Sequence, residues 1–303
     1  MSTAEDIVSK CADCGKKGDG LKTCTACKSV KYCNATCQKV HWPKHKRECK
    51  KRAAELHDEA LFKEPPPFDE CPICMLRLPI IAEDTNYYAC CGKTLCMGCI
   101  HADRIENSRT ICPFCRTPWP TSAREALERL KKRAEGDDAD GMNTLGYYYC
   151  NGSGGLPRDD GKANKLFLRA GQLGHSKAYG NLASSYERGE GVEKDMMKAK
   201  HYWELAAMRG DAGSRYNLGV FEERTGNMSR AVKHWMLAAG AGYDESLKTI
   251  RGCFLKGHAT KDDFEKALRA HKDAKDETKS DQREAAAAYY NEINSCNGGL
   301  EGK

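Results

Sequence analysis

The sequence predicts a multidomain chain: two small, cysteine-rich α+β domains stabilised by metal, followed by an all-α solenoid of helical repeats. Three observations carry that expectation. Fifteen of the eighteen cysteines fall between Cys11 and Cys115, leaving Cys150, Cys253 and Cys296 for the rest of the 303 residues. Most of the fifteen come in pairs with two or three residues between them, the spacing of chelating loops and helix faces. Beyond residue 134 the composition turns to alanine, leucine, glycine and charge, and the pattern recurs every 36 or 37 residues.

Bulk properties narrow the class. With 40% apolar and 30% charged residues the chain reads as soluble and folded. MSTAEDIVSK has no basic stretch leading into an apolar core, and nowhere do about 18 apolar residues run together, so no secretory route or membrane span is expected. Abundant cysteine in a reducing compartment points to metal ligation rather than disulfides, and the expected location is cytoplasmic or nuclear. The formal charge of +6 treats every cysteine as a neutral thiol. Fifteen thiolates set against the eight positive charges of four divalent ions leave about −1, so nucleic acid is not an expected partner.

After a short tail at residues 1–10, residues 11–49 hold the first cluster: Cys11 with Cys14, Cys24 with Cys27, Cys33 with Cys37, and His45 with Cys49. A Cys-x-x-Cys loop turns two sulfurs onto one ion, and residues four apart do the same from one face of a helix. Eight ligands make two closed tetrahedral sites with no open position for water, so they hold structure together rather than hydrolyse anything. Together with Tyr32, Gln38 and Trp42, this order closely resembles the MYND zinc finger. The resemblance implies interleaved sites, Cys11, Cys14, Cys33 and Cys37 on one Zn2+ and Cys24, Cys27, His45 and Cys49 on the other. It also implies that Gln38 and Trp42 border a groove for short proline-containing peptides, although tryptophan is equally suited to covering the second site. Lys44, Lys46, Arg47, Lys50, Lys51 and Arg52 read as a solvated helix face beside anionic centres.

Residues 50–70 are a helix and a proline-rich linker, since KKRAAELHDEALFK supplies helix formers and EPPPFDE stops them. The second cluster, residues 71–116, pairs Cys71 with Cys74, Cys96 with Cys99, and Cys112 with Cys115, and adds the adjacent Cys90 and Cys91. CPIC, CCGKTLCMGC and CPFCR resemble the segments of a RING finger, in which interleaving puts Cys71, Cys74, Cys96 and Cys99 on one ion. The departure is Lys93, which stands where that pattern has a histidine. If both members of the doublet bind, fifteen cysteines and His45 give sixteen ligands for four Zn2+ ions. Neighbours on an extended strand point to opposite faces, so this all-cysteine variant requires a kink, which Gly92 can supply. The alternative is one bystander cysteine, with another group such as His101 completing the site. By the same resemblance, Ile73, Pro113 and Phe114 belong to a surface that docks a ubiquitin-conjugating enzyme, and Arg116 stands where active ligases keep an arginine that bonds both proteins. IHADRIENSRTI lacks the large aromatic that many ligases place between the last two pairs, and Ile73 and Phe114 are equally suited to a minor core.

A connecting helix is expected over residues 117–133 and helical repeats over 134–275. Leu145, Leu182 and Leu218 align at intervals of 37 and 36 residues, and Ala170, Ala206 and Ala238 at 36 and 32. Such periods mean stacked helical hairpins, none able to bury its apolar face alone. Each first helix carries an apolar and a small residue in sequence (Leu145-Gly146, Leu182-Ala183, Leu218-Gly219) and each second helix aromatics and alanines, such as Tyr202, Trp203, Ala206 and Ala207. The segment resembles the Sel-one-like subclass of tetratricopeptide repeats. Most of its aromatics are expected in the core, with an unknown protein partner in the groove that stacking creates. Residues 276–303 are expected as a capping helix and a disordered tail.

The leading expectation is therefore a zinc-binding adaptor that recognises proteins through its metal domains and recruits others on its repeats. A RING-type ubiquitin ligase is the same architecture with one catalytic partnership added, acting by positioning and without covalent chemistry of its own. No catalytic residue is assigned. MYND fingers also accompany lysine methyltransferases, but the sequence carries no methyltransferase motif, phosphate loop or nucleophile elbow.

Overall fold

The computed structural model describes residues 9–107 and 110–297 and divides into two compact units, residues 1–63 and 64–303. The expected amino-terminal tail to residue 8 and the final residues from 298 lie outside the described ones.

The first unit pairs two very short antiparallel strands, β1 (Lys22–Thr23) and β2 (Lys31–Tyr32), and then runs into one long helix, α1 (Ala35–Leu61). Asn34 caps that helix by accepting the Cys37 amide at 3.0 Å. Its interior is Cys11, Cys24, Cys27, Cys49 and Tyr32, not an aliphatic core. Cys33 lies just before the cap, so the Cys33 and Cys37 pair straddles the helix start instead of sharing one helical face, while His45 and Cys49 do lie on α1. The helix passes without a break from the finger into the linker and stops before Pro65.

In the second unit, β3 (Thr85–Tyr88) and β4 (Lys93–Cys96) form a hairpin with Thr85 opposite Cys96 and Tyr88 opposite Lys93. Helix α2 (Met97–Glu106) follows Cys96 directly. Then come α3 (Ala123–Glu135), α4 (Ala139–Asn151), α5 (Asp160–Gln172), α6 (Ser176–Arg188), α7 (Met196–Met208), α8 (Ala212–Arg224), α9 (Met228–Gly240), α10 (Asp244–Leu255), α11 (Lys261–Asp276) and α12 (Asp281–Asn297).

Helices α4 to α9 are each 13 residues long and pack as consecutive hairpins, α4 on α5, α6 on α7 and α8 on α9. Asp138, Asp159, Asp195 and Asp211 each accept a backbone N–H at a helix start, which is how the sequence punctuates the array. The small residues have the expected use: a Cβ on Gly146 would fall 2.6 Å from the Phe167 ring, and Gly219 lies beneath Trp235. Trp203 and Trp235 are fully buried, and Tyr202 stacks between Tyr179 and Tyr186 at ring separations of 5.8 and 5.6 Å. No helix among the described residues is long and apolar enough to cross a membrane.

Helix α12 has a different place from the end cap the sequence suggests. Its main neighbour is α2 of the cysteine-rich module, and its Ala286 is buried. The physical reason is sequence content: Tyr289 and Tyr290 find His101 and Arg104 of α2 as partners.

Candidate metal centres

One backbone device recurs at four of the five Cys-x-x-Cys pairs, the exception being Cys96 and Cys99, where helix α2 begins. The residue after the second cysteine is left-handed: Gly15 (φ 71°), Lys28 (57°), Met75 (57°) and Arg116 (59°). Its amide donates back to the carbonyl of the first cysteine, at 3.0 Å to Cys11, 3.0 Å to Cys24, 2.8 Å to Cys71 and 2.9 Å to Cys112. The turn brings two sulfurs to one side and leaves the following side chain outside. Three of these positions are not glycine, and a left-handed L-residue costs on the order of 1–2 kcal/mol, which ligation at the loop offsets.

Four donor groups result, each with its ligand atoms within 4.8 Å of one another: Cys11, Cys14, Cys33, Cys37; Cys24, Cys27, His45, Cys49; Cys71, Cys74, Cys96, Cys99; and Cys90, Cys91, Cys112, Cys115. Tetrahedral zinc with thiolates at about 2.3 Å requires neighbouring sulfurs about 3.8 Å apart. The sulfur separations are 3.8 Å for Cys24 and Cys49, for Cys71 and Cys99, and for Cys74 and Cys96, and 3.5 Å for Cys14 and Cys33. His45 Nε2 stands 3.3 Å from the Cys27 sulfur. None of the described cysteines forms a disulfide. These clusters suit zinc: soft thiolates and one imidazole, four donors each, converging at the edge length of a tetrahedron.

The doublet resolves at a turn. Cys90 and Cys91 occupy the loop between β3 and β4, where the amides of Cys91 and Gly92 both reach the Tyr88 carbonyl at 3.2 and 2.8 Å and Gly92 has φ 67°. Tight winding replaces strand alternation, so the adjacent side chains converge: Cys90 lies 3.5 Å from Cys115 and Cys91 4.0 Å from Cys112. Lys93 points outward from β4, and His101 is buried against Tyr289, 4.8 Å between ring centres, away from the cage.

Electrostatics explains why each cluster calls for a cation. In the third, the Cys96 thiol, aided by the amides of Cys96, Cys74 and Ile73, pulls Cys71 down to about 4. In the first, the Cys14 amide is the main group holding Cys11 at about 6. Burial above all pushes Cys99 up to about 12, against the Cys96 thiol and helped by Cys71 and Cys74, and burial followed by the Cys11 and Cys14 thiols pushes Cys37 up to about 12. Lowered and raised thiols thus share a cluster, and a divalent ion would let all the cysteine donors bind as thiolates at neutral pH.

Around the cages, Gln38 is half-buried on α1, and Trp42, one turn on, is 39% exposed while meeting His45 edge-on at 6.3 Å. The ring therefore both covers the second cluster and faces solvent. Ile73 and Phe114 are each 42% exposed on the third and fourth clusters, Pro113 is half-buried and Arg116 exposed. Sequence reasoning did not single out the residues that fix the second module to the helices. Arg133 of α3 donates to the Ala89 and Cys90 carbonyls at 2.8 Å each, and the Tyr87 hydroxyl donates to Asp138 at 2.9 Å. Nothing in ALERLKKRAEGD distinguishes Arg133 from its basic neighbours.

Fold and clusters together define a class: a zinc-finger protein-interaction scaffold, with cysteine-rich metal modules at one end and an all-helical repeat array after them. Comparison with known proteins makes this specific, since residues 11–49 match the family model of the MYND finger and residues 139–175 and 176–211 that of the Sel1 repeat. The further cysteine-rich clusters at residues 71–115 are consistent with a RING-like module. The chain is 32% identical over 111 residues to an Arabidopsis thaliana protein described as an ERAD-associated E3 ubiquitin-protein ligase component, HRD3B, covering 36% of this chain and 17% of that one. It is 48% identical over 44 residues to the Danio rerio N-lysine methyltransferase SMYD2-B, covering 14% of this chain and 10% of that one. These matches thus span a small part of either relative. A Sel1 repeat protein from Oxalobacter formigenes aligns at 28% identity with a TM-score of 0.45, over 50% of this chain and 64% of that one.

Proposed function

We propose that the chain is an adaptor that binds four zinc ions, takes short proline-containing peptides at Gln38 and Trp42 of the first finger, and gathers further proteins along the Sel1 array. The observation that carries this reading is that every cluster has four protein donors while Trp42, Ile73 and Phe114 stand exposed on the outside. Closed cages supply rigidity, and the exposed apolar side chains on them supply recognition. The density of thiol ligands supports a cytoplasmic or nuclear location. Calorimetric titration of proline-containing peptides tests it: Trp42→Ala is expected to weaken binding at least tenfold, equivalent to about 1.4 kcal/mol, with four zinc ions retained by native mass spectrometry. Peptide binding indifferent to that change contradicts the groove.

The second reading makes the RING-like module a ubiquitin ligase that docks a ubiquitin-conjugating enzyme on Ile73, Pro113 and Phe114, with Arg116 bridging. The exposure of Ile73 and Phe114, which a minor core would bury, favours it, as does the description of the Arabidopsis relative as a ligase component. Autoubiquitylation with a panel of conjugating enzymes decides: activity lost in Ile73→Ala and Arg116→Ala supports the ligase, and inertness across the panel leaves the adaptor alone.

A further inference from the structure

The third cluster is in contact with the far end of the chain. Arg283, in the first turn of α12, places Nη2 at 3.5 Å from the Cys74 sulfur and at 3.3 Å from the Leu76 carbonyl. That same carbonyl accepts the Cys71 amide at 2.9 Å and so closes the metal loop. Nη1 donates to the carbonyls of Arg77 at 2.7 Å and Thr278 at 2.9 Å. Arg77 itself donates to the Ala241 carbonyl, just after α9, at 2.7 Å and to Glu277, just after α11, at 3.0 Å.

The approach is close enough to require glycine between the ligands. A Cβ on Gly98 would lie 2.6 to 3.0 Å from Arg283 atoms, including its backbone. Tyr290 accepts from Arg104, and Tyr289 lies against His101. A cavity of about 470 Å³, lined by Arg77, Ile80, Met97, Arg283 and Tyr290 among others, opens beside these contacts. Discrete polar contacts thus add to the packing of α12 on α2, and such contacts can be made and broken.

We infer that docking of α12 and retention of metal in the Cys71, Cys74, Cys96 and Cys99 cage are one coupled equilibrium, with Arg283 as the positioning residue that couples them. The inference rests on the reading that this cage holds zinc. Four thiolates around a divalent ion carry excess negative charge, and a guanidinium against one sulfur and the loop carbonyl stabilises that state and orients the loop. Outer partners of this kind change metal affinity by about 10- to 100-fold. Coupling is reciprocal, so loss of the ion must loosen the helix by the same factor.

The test uses the full chain loaded with zinc, challenged with a chelator in the presence of N-ethylmaleimide, with labelling followed cysteine by cysteine by mass spectrometry. Arg283→Met is expected to speed labelling of Cys71, Cys74, Cys96 and Cys99 about tenfold while leaving Cys11, Cys14, Cys33 and Cys37 unchanged. Truncation after Lys279 is expected to do the same, and chelation of the wild-type chain to speed amide exchange over residues 283–290. Unchanged labelling of the third cage in both variants overturns the inference. Equal acceleration at all four cages also overturns it, because that is general unfolding. A chain that carries no zinc before the challenge overturns the metal reading underneath, an outcome native mass spectrometry separates from the others.

Discussion

The first finger and the second cysteine-rich module share one loop, a left-handed residue after Cys14, Cys27, Cys74 and Cys115, yet they are packed differently. The first forms a compact unit with α1 alone, its interior made of cysteines and Tyr32. The second belongs to the same compact unit as the repeats. Arg133 of α3 holds its hairpin turn and Arg283 of α12 its first metal loop, one arginine at each cage. The difference teaches that similar ligand spacing can serve either a finger packed with its own long helix or a module hydrogen-bonded to helices distant in sequence.

The sharpest break of that comparison is metal removal. Structural zinc supplies about 10–16 kcal/mol per site in finger peptides, so chelation is expected to abolish the fold of residues 11–49, loosen α12 and spare α4 to α9. Far-ultraviolet circular dichroism with amide exchange checks this, and simultaneous loss of all helix contradicts it. Acid acts in the same direction: metal holds thiols such as Cys99 and Cys37, otherwise raised to about 12, as thiolates, so protons compete increasingly as pH falls. Zinc retention is expected to be full at neutral pH and lost on acidification, as a zinc-sensitive dye would report.

Next in size is the doublet. Cys90→Ser and Cys91→Ser are each expected to lower the zinc count by one, whereas His101→Ala keeps it. A full count in either serine variant would return that cysteine to a bystander. Within the repeats, Trp235→Ala removes a fully buried ring and is expected to destabilise the array by about 3–5 kcal/mol without changing the zinc count, read by thermal denaturation and native mass spectrometry together. The smallest effect is Met75→Gly, which relieves the left-handed backbone at φ 57° and is expected to stabilise the zinc-loaded second module by about 1 kcal/mol in denaturant titrations.

Much of the candidate site is legible because zinc ligation is local chemistry. Cys71 and Cys74, or His45 and Cys49, advertise themselves by spacing, and Gly92 beside the doublet announces the turn that lets Cys90 and Cys91 converge. Leu145, Leu182 and Leu218 mark the repeat by period. The Cys33 and Cys37 pair was less legible, because the helix start depends on Asn34 acting as a cap. The burial of His101 depends on Tyr289, nearly two hundred positions away, and no pattern near either residue reveals it.

By itself the sequence marked the candidate metal ligands and the hairpin unit of the repeats, since each depends on groups a few positions apart whose geometry the backbone fixes. Only the tertiary structure decided which helices hold the second module. Arg133 reaches the Cys90 carbonyl across 43 residues and Arg283 reaches the Arg77 carbonyl across 206. An arginine seen in sequence is one more surface charge until the folded chain brings an unpaired carbonyl to it.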